Sequence, residues 1–267
     1  MLSNAGAPSS IPLAPRYPVA GVLVSRTTYA DAVSSIIQAA RARVQLLAAA
    51  TSVHGLTIAA TDADFGAVLK TFDLVTPDGQ PVRWALNLLH AARLSERVYG
   101  PTLMLRLCEA AAAEGLSVYF YGSRPEVLAG LVERLSTTVP GLRIAGYSAP
   151  PFRPLTPEED QQEVDSIVAS NAQVVFVGLG CPRQERWAYE HRLQLGRPLV
   201  CVGAAFDFHA GTLRQAPGWM QARGLEWFFR LVMEPRRLWR RYAKHIPIFV
   251  LLVSRQYFMQ RLSWPRP

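Results

Sequence analysis

A carboxylate at a predicted strand-to-helix turn is the first feature of this sequence that could do chemistry. Phe72–Val75 is typical of the end of a buried strand, Thr76-Pro77-Asp78-Gly79 follows, and Pro81 opens an amphipathic helical pattern. Pro-Asp-Gly is also ordinary turn chemistry, so Asp78 could serve only to bend the chain. In an open α/β sheet, however, ligands bind at the carboxyl ends of strands. Asp78 could therefore be either a turn residue or a residue of a ligand site, and the rest of the chain must decide between these two interpretations.

A glycine-rich turn is the second such feature. The apolar run Val174–Gly178 continues into GLGCPRQERW, where Gly178 and Gly180 let the backbone approach a ligand and Pro182 suits the first turn of a helix. The start of a helix behind such a turn favours a pyrophosphate. Arg183 stands where the dinucleotide-binding fingerprint has its third glycine, which weakens a nicotinamide-dependent reading. Arg183 and Gln184 add two candidate ligand contacts.

Two other pairs of polar residues are weaker candidates. Asp207 and His209 follow the predicted strand 199–203, and alternate positions of an extended segment point the same way. An Asp/His pair suggests a metal site or a general base. No third metal ligand lies near the pair in the sequence, so the interpretation as a structural, hydrogen-bonded pair is favoured. Asp62-x-Asp64 resembles a metal-binding pattern but precedes a helical segment, where an N-cap is expected. We predict no metal site and no cofactor.

A single arginine, Arg97, lies just before Gly100-Pro101 at another junction between segments. An isolated arginine there is usually a surface residue, but beside a phosphate it would stabilise a leaving group. The sequence contains neither Gly-x-Ser-x-Gly nor a P-loop motif, which weakens hydrolase and NTPase alternatives.

The elements that must position these residues alternate between strands and helices. Apolar β-rich runs are at 20–24, 44–48, 72–75, 117–121, 143–146, 174–178 and 199–203. Helix starts are indicated by capping pairs, Thr28 with Asp31 and Ser123 with Glu126. This alternation predicts an α/β fold with a mostly parallel sheet and helices on both faces.

The charge is concentrated at one end of the 267-residue chain, whose net charge is +8. Residues 1–213 carry 17 Lys/Arg and 18 Asp/Glu, whereas residues 214–267 carry 11 and 2. This asymmetry indicates an anionic partner for the C-terminal part. We predict a flexible tail over 1–18, an α/β domain over 19–210 and a basic appendage over 211–267.

A basic amphipathic helix is predicted after Pro235. At about 100° per residue, its five cations fall within an arc of roughly 140°: Arg236, Arg237, Arg240, Arg241 and Lys244. They could form a solvated face, but clustering and nearby tryptophans favour a helix lying on an anionic membrane surface. The longest apolar run nearby, 246–253, is shorter than the about 18 residues that a spanning helix needs. Three cysteines without Cys-x-x-Cys spacing fit a reduced cytosolic protein.

Six segments in order resemble the WecG/TagA/CpsF family of bacterial glycosyltransferases, glycosyltransferase family 26. They are FDLVTPDGQPVRWALNLL, ERVYGPTLM, VYFYGS, FVGLGCPRQERWAYEH, GAAFDFHAGTLRQAPGWMQARGLEWFFRL and EPRRLWRRY. The resemblance implies a Rossmann-like domain whose C-terminal appendage helps membrane association and completes the site. It also implies inverting, metal-independent transfer from a UDP-sugar to an undecaprenyl-diphosphate-linked saccharide. The protein would then be cytoplasmic and peripheral on the inner face of the membrane, and a homo-oligomer is compatible with this.

The resemblance also assigns roles to residues. It implies Asp78 as base, with Thr51, Arg97 and Gln184 as further catalytic residues. The UDP-sugar is expected to contact Gly122, Gly178, Gly180, Pro182, Arg183 and Asp207, and the lipid diphosphate is expected to contact Arg214, Arg223 and Arg230. The family pattern has Asn two residues after the threonine, whereas this chain has Val53 followed by His54. The sequence around these motifs is similar to that of the exopolysaccharide branch of the family, including the xanthan-type β-1,4-glucosyltransferase.

Two readings from other classes stay open at this stage. A basic nucleic-acid-binding module would use the C-terminal cations, although these alternate with an apolar helical face rather than with exposed stacking platforms. A nicotinamide-dependent oxidoreductase could use a similar sheet. The sequence also leaves open whether His54 or His209 assists Asp78.

Overall fold

The computed structural model describes residues 11–262 and has an α/β fold with a six-stranded parallel sheet between two layers of helices. The predicted fold class is confirmed. A hairpin of β1 (Arg16–Val19) and β2 (Val22–Ser25) precedes the sheet. The sheet order is β4-β3-β8-β7-β5-β6. Its strands are β3 (Leu46–Thr51), β4 (Leu74–Pro77), β5 (Ser117–Gly122), β6 (Arg143–Ser148), β7 (Val174–Gly178) and β8 (Pro198–Cys201).

Twelve helices are found within residues 11–262. They are α1 (Tyr29–Ala42), α2 (Val53–Thr61), α3 (Ala63–Lys70), α4 (Gln80–His90), α5 (Gly100–Ala113), α6 (Pro125–Thr138), α7 (Pro157–Ala169), α8 (Arg183–Leu195), α9 (Ala205–Ala210), α10 (Gly218–Ala222), α11 (Glu226–Met233) and α12 (Pro235–Leu262). The last three belong to the predicted basic appendage.

The sheet separates two hydrophobic cores. Helices α1, α5, α6 and α9 bury one face, whereas α2, α3, α4, α7 and α8 bury the other. Side chains of β3 alternate between these cores, with Leu46 on one side and Leu47 on the other, as the period of two along a strand requires. Burial on both faces explains why the strands read as continuous apolar runs.

The helices that follow β5 and β7 pack on opposite faces of the sheet. Helix α6 belongs to one core and α8 to the other, so the connections that leave the adjacent strands β5 and β7 go to opposite faces of the sheet. In open α/β sheets, ligands bind in the crevice at such a switch point, outside the carboxyl ends of the strands. Gly122 and Gly178 end the two strands here and are directly paired.

The N-terminal predictions differ from the structure. The expected strand 20–24 is the turn and second strand of the β1–β2 hairpin, because Ala20 and Gly21 adopt left-handed φ angles of 51° and 82°. Residues 1–10 of the predicted tail lie outside the described part of the chain. Residues 11–18 are attached to the body, since β1 begins at Arg16 and the Pro12 carbonyl accepts a 2.6 Å hydrogen bond from Ser35.

One predicted helix cap is confirmed and one is wrong. Thr28 and Asp31 form a reciprocal capping box at α1. Ser123 has φ 65° and does not cap α6, whose N-cap is Arg124, followed by Pro125 in the first turn. A proline at the first helical position fixes that start one residue later than the capping-box pattern predicts.

The long helix α12 returns along the body. Its buried seam of Leu238, His245 and Phe249 follows a spacing of seven and four residues and packs over α2 and α4. Near its end, Gln256 bonds to the hairpin, accepting from the Ala20 amide at 2.9 Å and donating to the Pro18 carbonyl at 2.7 Å. Within residues 11–262, no helix combines the length and the apolar character that crossing a bilayer would require.

Candidate active site

Asp78 lies where β4 gives way to α4, as the sequence predicts. Its amide donates to the Thr51 carbonyl at 3.2 Å, which ties the turn to the end of the neighbouring strand β3. Its Oδ1 accepts a 2.8 Å bond from the Gly100 amide, the first residue of α5. A carboxylate is therefore held by a strand end on one side and the positive end of a helix on the other.

Asp78 faces one arginine of its own domain and one glutamate of the appendage. The Arg97 guanidinium donates to Glu226 of α11, and both side chains are largely buried. The same guanidinium lies 4.2 Å from the centre of the Tyr99 ring. The predicted arginine thus reaches the site, but its direct partner is a carboxylate of the appendage.

Burial raises the pKa of Asp78 from its ordinary 3.8 to about 6, and Glu226 adds to this shift. The Arg97 charge and the Gly100 hydrogen bond oppose the increase. A carboxylate with a pKa of about 6 is ionised at neutral pH and more basic than an exposed aspartate. These are the properties expected of a general base working near pH 7.

A cavity of about 660 Å³ opens over Asp78 between the body and the appendage. Its polar end contains Asp78, Arg97, Glu226, Arg230 and Arg241. Its other walls are mainly apolar and aromatic, formed by Trp84, Leu88, Trp227, Tyr242, Ile246, Phe249, Val250 and Val253. The cavity can therefore receive a molecule with an anionic or sugar-like head and an apolar tail.

The three arginines expected to hold a lipid diphosphate separate in the structure. Arg230 lines the cavity and lies 5.6 Å from the centre of the Phe208 ring. Arg214 and Arg223 are exposed and lie outside the cavity lining, and Arg223 lies against Trp219 at 5.8 Å. Of the three, Arg230 lines the cavity, and the acceptor contacts expected for all three stay predictions.

Four of the five cations predicted to face a membrane are exposed on α12, namely Arg236, Arg237, Arg240 and Lys244. Arg241 departs from the prediction, because it lies towards the buried seam of α12 and lines the cavity. Burial lowers the Arg241 pKa, and its Nε has no hydrogen-bond partner. Trp239, on the same helix, is 53% exposed.

The glycine-rich turn lies at the switch point between β5 and β7. A Cβ on Gly178 would lie 2.7 Å from the Phe206 ring, and one on Gly122 would lie 2.9 Å from the Gly178 carbonyl carbon. Packing therefore requires both glycines. At Gly180, with φ 79°, a Cβ would meet no heavy atom within 4 Å, so the space beside this residue is open.

Residues at the start of α8 have different environments. Pro182 is the N-cap residue, and the exposed Arg183 opens the helix. Gln184 is 1% exposed, donates to Glu185 at 2.9 Å and accepts from the Gly203 amide at 3.1 Å. These bonds brace α8 against the end of β8, and the catalytic role expected for Gln184 stays a prediction.

Asp207 and His209 do not point the same way, because they lie on helix α9 rather than on an extended segment. The Asp207 carboxylate approaches Arg124 at 3.6 Å, beside the end of β5. His209 Nε2 donates to the Pro101 carbonyl at 2.8 Å. Asp207 remains beside the switch-point crevice, whereas His209 supports the packing of α5.

His54, two residues beyond Ser52, lines the same cavity as Asp78. Its ring is edge-on to His245 with 4.4 Å between centres, and its Nδ1 is buried without a hydrogen-bond partner. Burial, followed by the charge of Arg241, lowers the His54 pKa to about 3. His54 is therefore uncharged at neutral pH.

Asp62 caps α3 by accepting from the Phe65 amide at 2.9 Å, which confirms the expected N-cap. Across residues 11–262, His, Cys, Asp and Glu side chains form no group of three that could bind a metal ion. The sequence reasoning missed Glu226 and Tyr99. Glu226 is one of only two acidic residues in the strongly basic segment 214–267, which was a usable signal.

Comparisons with known proteins show that the chain is similar to glycosyltransferases. The profile described as "Glycosyl transferase WecG/TagA/CpsF family" matches residues 17–263. An N-acetylglucosaminyldiphosphoundecaprenol N-acetyl-beta-D-mannosaminyltransferase of Bacillus subtilis (strain 168) is 31% identical over 207 residues, 77% of this chain and 78% of the relative. A protein of the same name from Bacillus spizizenii is 36% identical over 191 residues, 71% of each chain.

Proposed function

The chain belongs to the WecG/TagA/CpsF family of glycosyltransferases, and from that premise we propose that it moves a sugar from a UDP-sugar to an undecaprenyl-diphosphate-linked saccharide. The reaction proceeds with inversion and without a metal ion. The observation that carries the proposal is the buried, basic carboxylate of Asp78 at the floor of an amphipathic cavity.

Asp78 acts as the general base. Its carboxylate takes the proton of the acceptor hydroxyl while that oxygen forms a bond to the anomeric carbon of the donor sugar. The bond from this carbon to the diphosphate oxygen breaks on the opposite face, so the configuration inverts and UDP leaves. The turn between β4 and α4, tied to Thr51 and Gly100, fixes the carboxylate for this transfer.

The acceptor occupies the cavity. Arg230 and Arg241 lie at its polar end and can pair with a diphosphate, whereas the apolar wall formed by α4 and α12 suits the first units of a prenyl chain. The names of the two Bacillus relatives specify N-acetylglucosaminyldiphosphoundecaprenol as their acceptor, and we propose an acceptor of this class here.

The donor occupies the crevice between β5 and β7. The backbone at Gly180 and the N-terminus of α8 receive the diphosphate, and Asp207 lies beside the nucleoside. Strand β4, which Asp78 follows, is three positions from β7 in the sheet, about 14 Å at the usual strand spacing. A diphosphate lying across β8 thus brings the sugar towards Asp78, where Arg97 helps to balance the charge of the leaving group.

The protein is peripheral on the cytoplasmic face of the membrane. The exposed cations of α12 and the neighbouring apolar residues Leu251, Phe258 and Leu262 form a surface suited to anionic lipid. This surface brings the cavity close to lipid-linked acceptors.

A donor screen tests the proposal. UDP-glucose, UDP-ManNAc, UDP-ManNAcA and UDP-GlcNAc are each incubated with a synthetic lipid-diphosphate sugar, with and without EDTA, and the product linkage is determined. We expect one donor to give a product of inverted configuration, at a rate that EDTA leaves unchanged. A UDP-ManNAc product would match the names of the Bacillus relatives, whereas a glucose product would favour the exopolysaccharide branch. Absence of product with all four donors would contradict the proposal.

A further inference from the structure

An exposed aromatic ring faces a cation beside the proposed donor crevice. Phe152, in the loop between β6 and α7, is 73% exposed. The Cζ atom of Arg183, the first residue of α8, lies 5.6 Å from the centre of its ring. This distance is within the range of about 6 Å for a cation–π contact. A large apolar ring is thus presented to solvent with a guanidinium beside it.

The loop that carries Phe152 is braced by its own sequence. It contains Pro150, Pro151 and Pro154, which restrict the backbone. Arg153 forms two hydrogen bonds of 2.6 Å each with Glu159. Glu159 also completes the capping box of α7 with Thr156. These local bonds hold the loop at the start of α7 while leaving the Phe152 ring uncovered.

The strand order places this ring beside the switch point. Strand β5 lies between β6 and β7, so the loops that follow β6 and β7 flank the end of β5 at Gly122. Open space lies over Gly180 in the second of these loops. Phe152 and Arg183 therefore border the side of the crevice remote from Asp78, where a nucleoside would lie if its diphosphate extended towards β3.

We propose that Phe152 and Arg183 form the platform on which the uracil ring of the donor stacks. The inference rests on the proposed function, which supplies a UDP-sugar donor. An aromatic ring and a guanidinium group both stack on nucleobases, and the Phe152 ring stays largely exposed although the Arg183 cation lies over it. The sequence patterns do not predict a role in nucleotide binding for Phe152, because an isolated Phe in a proline-rich loop belongs to no motif.

Stacking on the base is remote from the bond that breaks. The contact is the same in the ground state and the transition state, so its loss raises the KM for the donor and leaves kcat nearly unchanged. This separates Phe152 from Asp78, whose loss lowers kcat. Phe152 is a binding residue and not a catalytic one.

Calorimetric titration of UDP into the full-length protein tests the platform. Phe152→Ala should raise the UDP Kd at least about fivefold, since base–aromatic stacking contributes this much or more. Phe152→Tyr keeps the ring and should bind UDP within about twofold of the unsubstituted protein. Leu193→Ala is the matched control, because Leu193 is equally exposed (74%) and lies on the far turns of α8.

A base without an aromatic ring sharpens the test. The diphosphate of 5,6-dihydrouridine keeps the ribose, the diphosphate and the base carbonyls but loses the planar ring. The unsubstituted protein should bind UDP more tightly than this analogue, and Phe152→Ala should discriminate between the two much less. Thermal melting should show that Phe152→Ala is folded, as expected for an exposed side chain.

The outcomes separate the platform from the proposed donor. If Phe152→Ala binds UDP within twofold of the unsubstituted protein, or loses affinity equally for both ligands, the platform is refuted while the donor assignment stands. If the unsubstituted protein binds no UDP, the proposed donor itself fails. A fivefold loss of UDP affinity in Phe152→Ala, without a comparable loss of affinity for the dihydrouridine diphosphate, would establish the stacking contact.

Discussion

The buried ion pair between Arg97 and Glu226 joins the appendage to the wall of the cavity that holds Asp78. Their side chains are only 11% and 10% exposed, although the residues are 129 positions apart in the chain. The two charges act on Asp78 in opposite directions, because Arg97 favours its carboxylate and Glu226 disfavours it. The appendage therefore closes the cavity and also adjusts the basicity of Asp78.

We predict that Glu226→Gln shifts the pH dependence of turnover. In the unsubstituted enzyme, kcat/KM should rise with pH through about 6, because Asp78 must lose its proton before it can accept one. Removing the Glu226 charge lowers the Asp78 pKa, so the rising limb should move to lower pH. Initial rates at a series of pH values measure this shift.

Glu234→Gln is the control for that measurement. Glu234 also belongs to the appendage and pairs with Arg230 and Arg237, but it is 23% exposed and is not among the groups that shift the Asp78 pKa. Its replacement should leave the limb in place. A limb that moves equally in both variants, or in neither, would contradict a specific effect of Glu226 on Asp78.

We predict that Asp78→Asn loses activity and gains stability. Loss of a general base lowers kcat by about 10²–10⁴, whereas UDP binding in the separate crevice should persist. The amide oxygen of Asn can still accept the bond from Gly100, so the turn should survive. Steady-state kinetics with calorimetric UDP titration checks both statements.

The gain in stability follows from the raised pKa of Asp78. A carboxyl whose pKa rises on folding stays protonated in the native state at pH values where the unfolded chain is already ionised, so stability falls as the pH rises from about 4 to about 6 and the loss is complete above about 6. Asn escapes this penalty, and the variant should be more stable by about 1–3 kcal/mol at pH 7.5. The difference should shrink as the pH falls through 6 towards 4. An active variant, or one with an unchanged melting temperature at pH 7.5, would count against the buried base.

The alternation of apolar runs and helical patterns was enough to predict the fold class. Strands β5 and β7 were predicted almost residue for residue, because each is buried on both faces and bounded by glycine or a turn. The hairpin β1–β2 was missed because Gly21 divides an apolar run that otherwise resembles one strand. The order of strands in the sheet follows from tertiary packing and could not be read from alternation.

The candidate site was predicted where local sequence determines position and missed where the appendage contributes. Asp78 and Arg97 both lie at junctions of elements, which the sequence shows. Arg241 was grouped with four exposed cations because it lies within the same helical arc, at its edge. In the structure, α12 packs through Leu238 and His245, and this packing places Arg241 in the cavity lining. Its position depends on contacts with α2 and α4 rather than on helical periodicity.

We predict that Gly178→Ala destabilises the protein through packing. Its Cβ would lie 2.7 Å from two carbons of the Phe206 ring, and overpacking of this kind costs about 1–3 kcal/mol. Phe206→Leu should recover part of the loss in the double variant. Gly218→Ala is the control, since a Cβ there meets no atom within 4 Å. Chemical denaturation measures all four proteins, and equal stability of Gly178→Ala and Gly218→Ala would contradict the packing explanation.

The last prediction concerns the exposed cations of α12. Replacing Arg236, Arg240 and Lys244 together by Gln should weaken binding to vesicles that contain anionic lipid by about 3 kcal/mol, because each basic residue near such a surface contributes about 1 kcal/mol. Salt should reduce the binding of the unsubstituted protein as well, since these charges are screened. Co-sedimentation at low and high salt measures both effects.

A matched triple variant separates membrane contact from net charge. Arg41, Lys70 and Arg143 are exposed cations of the α/β body, and their replacement by Gln removes the same charge from the protein. If vesicle binding depends on the surface of α12, this second variant should bind nearly as well as the unsubstituted protein. Equal losses in the two variants would mean that overall charge attracts the protein to lipid, and α12 would then have no special part in presenting the cavity to membrane-bound acceptors.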